Sequence, residues 1–235
     1  MNISICLASY NGEKFIKHQI DSILNQIGEH DELLVVDDCS NDTTVEIVRS
    51  YQDSRIKILL NEINLGVVKS FEKAIMAAKN DIVYLCDQDD IWKENKVSMI
   101  NSIFITDSSV TMVVSDAELI DGDGNSLNLC IYENGLDTSF LKNLISNNFV
   151  GCCMAFNKKI VTLAFPFPNK IPMHDSWLGL NHILFGKVYF LNKTLVGYRR
   201  HGANVTTGKR ASLVKIVKWR FGLVFSLFIR MFNKG

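Results

Sequence analysis

Short apolar runs alternate with helix-period segments through the first half of the chain. Ile3 to Ala8 is a β-rich run, and the segment after it carries Phe15, Ile16, Ile20, Ile23, Leu24 and Ile27 at the three-to-four spacing of one helix face. The unit then repeats. Strand Leu33 to Val36 precedes helix Thr43 to Ser50, strand Ile56 to Leu60 precedes helix Val67 to Ala78, and strand Ile82 to Leu85 follows. Strands joined by helices predict a parallel sheet with helices on both faces. Each strand closes on a polar cluster: Ser9 to Gly12, Asp37 and Asp38, Asn61 to Gly66, and Asp87 to Asp90. Open α/β sheets bind ligands outside the carboxyl ends of their strands, so the four clusters are expected to face one crevice.

Past Trp92 the pattern changes. It predicts a helix, a strand Thr111 to Ser115, a turn-rich Asp121 to Asn125, a strand-like Val150 to Phe156, a helix through Trp177, Leu178, Leu180, Ile183 and Leu184, and strands Val188 to Leu191 and Leu195 to Arg199. This half reads as mixed sheet on the same core, with no internal repeat and no low-complexity segment.

With 235 residues, 47% of them hydrophobic, the chain holds material for one core. We read one domain over residues 1–208, made of two halves (1–92 and 93–208), then a tail over 209–235. The formal charge is zero but unevenly spread. From Lys209 onward there are seven basic side chains and no acid, which leaves the body about seven units negative. A formal charge of zero gives no support to nucleic-acid binding. On a helical projection of the tail, Lys215, Lys218, Gly222, Ser226, Arg230 and Asn233 fall on one side. Leu213, Ile216, Val217, Val224, Leu227 and Met231 fall on the other, interrupted by Arg220. Such a helix suits peripheral contact with an anionic membrane, or docking on the body or a partner. Apolar stretches shorter than about 20 residues predict no transmembrane span. Met1 to Cys6 lack the basic and apolar regions of an export signal, so the expected location is cytoplasmic, peripheral on the inner face of the cell membrane. The six cysteines show no metal-type spacing and read as reduced, mostly buried thiols.

Asp87, Gln88, Asp89 and Asp90 put three carboxylates on one short loop directly after an apolar strand. They suit a hard divalent cation, Mn2+ or Mg2+, that shares its shell with substrate phosphates. The competing reading is that an acid caps the helix starting near Trp92. Asp37 and Asp38 can accept hydrogen bonds from a base or ribose, or can form an Asp-Ser turn. Gly66 lets backbone approach a ligand ahead of a helix N-terminus. Lys69, in that helix's first turn, reads equally as a phosphate contact or as an exposed helical lysine.

Taken in order and spacing, Ala8-Ser9-Tyr10-Asn11-Gly12, Val36-Asp37-Asp38-Cys39-Ser40, Asn64-Leu65-Gly66 and Asp87-Gln88-Asp89-Asp90 resemble the family-two glycosyltransferases of the GT-A fold. The resemblance extends through His174-Asp175-Ser176-Trp177 and Tyr198-Arg199-Arg200-His201-Gly202, nearly to Gly208. It implies a Rossmann-like, mostly parallel central sheet flanked by helices, with a mixed-sheet acceptor half. It also implies a nucleoside-diphosphate-sugar donor held by Ala8, Ser9, Tyr10, Asn11, Asp37, Asp38, Asn64, Gly66, Asp87 and Gln88. Asp87 and Asp89 match the family's DxD motif, with Asp89 the direct metal ligand and Asp87 nearer the ribose or sugar. His201 completes the metal's shell or touches the diphosphate, or is structural. Arg199 and Arg200 are expected on phosphate oxygens. Asp175 falls where the family has its base, with His174 in place of the usual acid before it. Trp92, Gly151, His174 and Trp177 are expected on the acceptor side.

The implied activity is inverting transfer to a hydroxyl of a saccharide or lipid-linked saccharide. The motif variants most resemble rhamnosyltransferase-type members that build bacterial surface polysaccharide, which tilts the donor toward dTDP-rhamnose, with a UDP-sugar open. Two other classes remain: metal-dependent phosphotransfer or nucleotidyl transfer, which here lacks a P-loop, and a non-catalytic nucleotide-sugar-binding protein.

Overall fold

The computed structural model describes residues 1–161, 164–169, 171–202 and 213–232, apart from the side chains of 213–215, 217, 231 and 232. The expected boundary at 208, and Lys209, Arg210 and Asn233 of the tail, lie outside the described residues, as do the side chains of Leu213, Lys215, Val217 and Met231.

In chain order the elements are β1 (Ile3–Ser9), α1 (Ile16–Leu24), β2 (Glu32–Asp37), α2 (Thr44–Ser50), β3 (Ile56–Leu60), α3 (Val67–Ala77), β4 (Ile82–Asp87), β5 (Ile91–Trp92) and α4 (Lys96–Thr106). There follow β6 (Met112–Ile120), β7 (Ser126–Cys130), α5 (Phe140–Ile145), a 3-10 turn (Gly151–Cys153), β8 (Met154–Asn157), α6 (Lys158–Val161), α7 (His174–Phe185), β9 (Val188–Arg199) and α8 (Leu213–Phe232). One sheet runs β3-β2-β1-β4-β8-β6-β9-β5, with β7 on β6. β1, β2, β3 and β4 are parallel, as the repeated strand-helix unit predicts. β8 lies antiparallel between β4 and β6, and β9 runs parallel to β6, which makes the second half the mixed sheet expected.

Every residue of β2 is buried, and all but one residue of β1 and of β4, so both sheet faces are covered. α3 lies against β1 and β2 and beside α7, while α1 lies beside α2 and β5. Several boundaries differ from expectation, among them β6, which runs on to Ile120 rather than ending at Ser115. Val188 to Arg199 is one strand that keeps its pairing with β6 through register shifts rather than two strands. The run before Met154 is a 3-10 turn. The helix expected near Trp92 begins only at Lys96, because Ile91 and Trp92 pair with Gly197 and Val196 as a short strand. The cysteines are free; four are buried and Cys39 and Cys130 partly so.

Candidate functional site at the carboxyl edge

Register brings the strand ends together. Ser9 pairs with Asp37 across β1 and β2, and Ala8 pairs with Asp87 across β1 and β4. The loops leaving this edge are latched to one another. The Gln88 amide oxygen accepts from Ser9 Oγ and from Tyr10 N, both at 2.9 Å, and its nitrogen donates to the Tyr10 carbonyl at 3.0 Å. A Cβ on Gly12 would lie 2.1 Å from Gln88 Oε1, so glycine makes room for this clamp. Asn11, at φ +48°, accepts from Asn41 N at 2.9 Å. Gln88 and Ser9 therefore spend their polar groups on the loop rather than on a donor. Tyr10, on the same loop, stays 43% exposed.

Both acids after β2 are buried. Asp38 Oδ1 accepts from Leu65 N and Asn61 Nδ2, and Oδ2 from Gly66 N, each at 2.8 Å. Its expected grip on a nucleoside is here a grip on the loop that carries Gly66 and the exposed Asn64. That loop needs Gly66 at φ +84°, in the region that favours glycine. Asp37 binds Ser40 N and Oγ at 2.9 and 2.6 Å, the Asp-Ser turn left open by the sequence. Lys69 donates to Glu72 at 2.6 Å and lines a recess of about 430 Å³ with Pro166, Phe167 and Arg230, so its charge is already paired rather than awaiting a phosphate.

The acids after β4 have no helix to cap. α4 starts at Asn95 with no side-chain cap, which removes the capping alternative for Asp87 to Asp90. Asp89 Oδ2 lies 2.7 Å from His201 Nε2. Asp90, 1% exposed, accepts from Arg199 N at 3.1 Å through Oδ1, while its buried Oδ2 has no hydrogen-bond partner. One ligand atom each from Asp87, Asp90 and Cys152 lies within 4.8 Å of the others. Burial, with the charges of Asp89 and Asp175 nearby, pushes Asp87 up to about 8. Burial, with Asp87 and Asp89, lifts Asp90 well above the carboxylate range. Such mutual repulsion, and an orphaned carboxylate oxygen, fit a site built for a divalent cation. The paired Asp89 and His201, with Asp87 on the same loop, offer carboxylate and imidazole donors of the kind that suit Mn2+ or Mg2+. The Cys152 thiol, raised by its contact with Cys153 and by burial, stays protonated and is a poor ligand for so hard an ion.

No motif points to Lys96, whose side chain is fully buried beside this cluster. Its ammonium donates to the Cys152 carbonyl at 2.7 Å and sits 4.8 Å from the centre of the Trp92 ring. Trp92, 3% exposed, is thus core rather than acceptor surface.

Asp175 stands in the first turn of α7, partly open to solvent. Oδ1 accepts from Ser176 N at 2.5 Å and from Asn147 Nδ2 at 3.1 Å, and the Gly151 N–H also favours the charged form. Burial outweighs these bonds and raises Asp175 to about 7, near the value that suits a base at neutral pH. Asn147, which positions it, was not legible from any motif. His174 does not tune this carboxylate by hydrogen bonding: it is 2% exposed, stacks on Phe71 at 4.0 Å, and neither ring nitrogen has a hydrogen-bond partner. Burial drives it down to about 3, so it is neutral. Gly151 is buried, and a Cβ there would meet His174 Nε2 at 2.7 Å, so glycine makes room for the imidazole. Trp177 is fully buried and donates to the Ala164 carbonyl at 3.0 Å. Of the four expected acceptor-side residues, Trp92, Gly151, His174 and Trp177 are all interior and support the site from behind.

Arg199 also departs from expectation. Buried over the Phe15 ring, its guanidinium donates to the carbonyls of Asp89 (2.7 Å), Asp121 (3.1 Å) and Gly122 (2.9 Å). It ties the acidic loop to the turn between β6 and β7 instead of reaching for phosphate. Arg200 is exposed, its guanidinium 5.7 Å from the centre of the Tyr198 ring.

The sequence model of Glycosyl transferase family 2 matches residues 4–163. The chain is 28% identical over 211 residues to TuaG of Bacillus subtilis, a glycosyltransferase named for teichuronic acid biosynthesis, covering 88% of this chain and 82% of TuaG. It is 28% identical over 209 residues to the Escherichia coli UDP-Glc:alpha-D-GlcNAc-diphosphoundecaprenol beta-1,3-glucosyltransferase WfgD, covering 88% and 80%. Among solved structures, S. aureus TarS (residues 1–349) in complex with UDP-GlcNAc superposes with a TM-score of 0.77 at 17% identity, over 97% of this chain and 67% of TarS. The fold is the GT-A fold of such enzymes.

Proposed function

The chain belongs to glycosyl transferase family 2, and from that premise we propose that it moves a sugar from a nucleoside diphosphate to an acceptor hydroxyl with inversion. The acceptor is a saccharide or lipid-linked saccharide of the cell surface. The observation that carries the reading is the pairing of functions at one edge: the acidic Asp87 to Asp89 loop, and beside it a carboxylate, Asp175, tuned to about 7. A binding protein would have no use for the second.

In the proposed reaction Asp175 accepts the proton of the attacking hydroxyl, held on station by Asn147, Ser176 N and Gly151 N. Attack and departure on opposite faces of the anomeric carbon need no sugar-enzyme bond. A Mn2+ or Mg2+ ion held by Asp89 and His201, with Asp87 beside it, would supply neutralisation of the leaving diphosphate. Tyr10 and the Asn64 to Gly66 loop are proposed to receive the nucleoside, with the exposed Arg200 reaching phosphate oxygens. The names of WfgD and TarS's ligand favour a UDP-sugar donor over dTDP-rhamnose. A cytoplasmic position against the inner membrane face, where a lipid-borne acceptor is met, belongs to the same reading.

Calorimetry tests it, with UDP-sugars and dTDP-rhamnose titrated with and without Mn2+ into the protein and into Asp89→Ala. Metal-dependent binding of one donor, lost in the variant, is expected. A folded protein that binds no donor under any metal condition overturns the reading.

A further inference from the structure

The tail helix does not present the face that its sequence projection suggests. Leu223 and Leu227 of α8 are buried against the body, whereas Phe221, Phe225 and Phe228 face outward. Their spacing puts the three rings on one stripe of the helix. α8 packs beside α5, where Arg220 donates to the Ile145 carbonyl at 2.7 Å, and α5 adds the outward Leu141 and Ile145. All five side chains are between 57% and 74% exposed. So much large apolar surface gathered on two neighbouring helices is costly in water and marks a contact face.

Charge names the occupant. From residue 209 onward the chain carries seven cations and no acid, on a protein whose remainder is negative. Lys218 is exposed three residues before Phe221, on the same stripe. Arg220 and Arg230 donate to the carbonyls of Ile145 and Pro166 rather than to carboxylates. Their positive charge is therefore not cancelled by those contacts. A second copy meeting this face symmetrically would set two acid-free cationic helices side by side, which disfavours self-association. A bilayer with anionic headgroups takes the aromatic stripe into its acyl boundary and the exposed Lys218 at its phosphates.

We propose that the aromatic stripe of α8, with Leu141 and Ile145 of α5, docks the protein onto an anionic lipid surface. No described helix is long and apolar enough to cross a membrane, so the contact is peripheral. The proposal deepens the membrane location read above by naming its surface.

The test is co-sedimentation of the full chain with vesicles of phosphatidylcholine, with and without phosphatidylglycerol. The protein should pellet with the anionic vesicles and come off as salt rises. Phe221→Glu/Phe225→Glu should weaken this on the order of tenfold or more, with an unchanged melting curve because both rings are exposed. Should that variant fail to fold, the milder Phe221→Ser/Phe225→Ser takes its place. Donor calorimetry on the same variants should match the parent, which separates this result from the fate of the sugar-transfer reading. Absence of binding to anionic vesicles, equal binding by the variants, or a parent dimer that the substitutions disperse would each overturn the proposal, the last by assigning the face to a second copy.

Discussion

His201 Nε2 lies 2.7 Å from Asp89 Oδ2, across 112 positions of sequence. The contact forms because β9 runs beside β5, directly after the acidic loop, and Arg199 at its end fastens to the Asp89 carbonyl and the Asp90 carboxylate. A carboxylate and an imidazole joined in this way are a ready pair of ligands for a divalent ion. His201→Ala should weaken Mn2+ binding in the presence of donor roughly tenfold to a hundredfold, and Asp89→Asn should do so at least as strongly. Calorimetric titration of the metal reads both. Unchanged metal affinity in His201→Ala would leave the histidine a structural partner of Phe15, on whose ring it rests at 4.7 Å.

Asp175 sets a pH profile for turnover. Its carboxyl is raised to about 7, chiefly by burial, and only the ionised form accepts a proton. The rate at saturating donor should therefore climb as pH passes through about 7 and level above it. Asp175→Asn should lower kcat by roughly 10²–10⁴ while leaving donor affinity nearly intact. A variant that keeps parental turnover would move the base elsewhere.

Much of this was legible in the sequence. The strand-end rule gathers Ser9, Asp37 and Asp87 at one edge, and pairing of β1 with β2 and β4 does so. What the pattern does not carry is which polar group is consumed by its neighbours. Asp38, Gln88 and Arg199 lie where a ligand would be met, yet each is spent on backbone N–H or carbonyl groups of an adjacent loop, and loop conformation is not encoded in hydrophobic periodicity. Trp177 and His174 were misread for another reason. α7 is buried over most of its surface, so its apolar residues mark no single face. In α8 the same ambiguity runs outward, since leucines and phenylalanines occupy different sides and only packing decides which are covered.

Arg199 allows a direct separation of scaffold from phosphate contact. Arg199→Lys keeps the charge but loses the planar fork that reaches three carbonyls, and a lysine cannot serve Asp89, Asp121 and Gly122 together. The variant should lose about 1–3 kcal/mol of stability, measured by denaturant unfolding, and metal affinity should fall with the loosened acidic loop. A variant of parental stability whose only defect is donor affinity would restore the phosphate role.

Asp175 also makes stability depend on pH, in a direction opposite to that of a salt-bridged acid. Its folded value, about 7, lies above its ordinary value of 3.8, so between those limits the folded protein holds a proton that the unfolded chain has released. Stability contributed by this group is full below about pH 4, declines as pH rises toward 7, and is flat above. Asparagine cannot ionise and is close to the shape of the protonated acid, so it escapes the decline. Asp175→Asn should thus melt above the parent at pH 8, with the gap closing as pH falls toward 4. Melting curves across that range check the sign. A variant that melts below the parent at pH 8 would mean that the bonds from Asn147, Ser176 N and Gly151 N to the carboxylate outweigh its burial. In that case the value near 7, and the turnover profile drawn from it, would fall together.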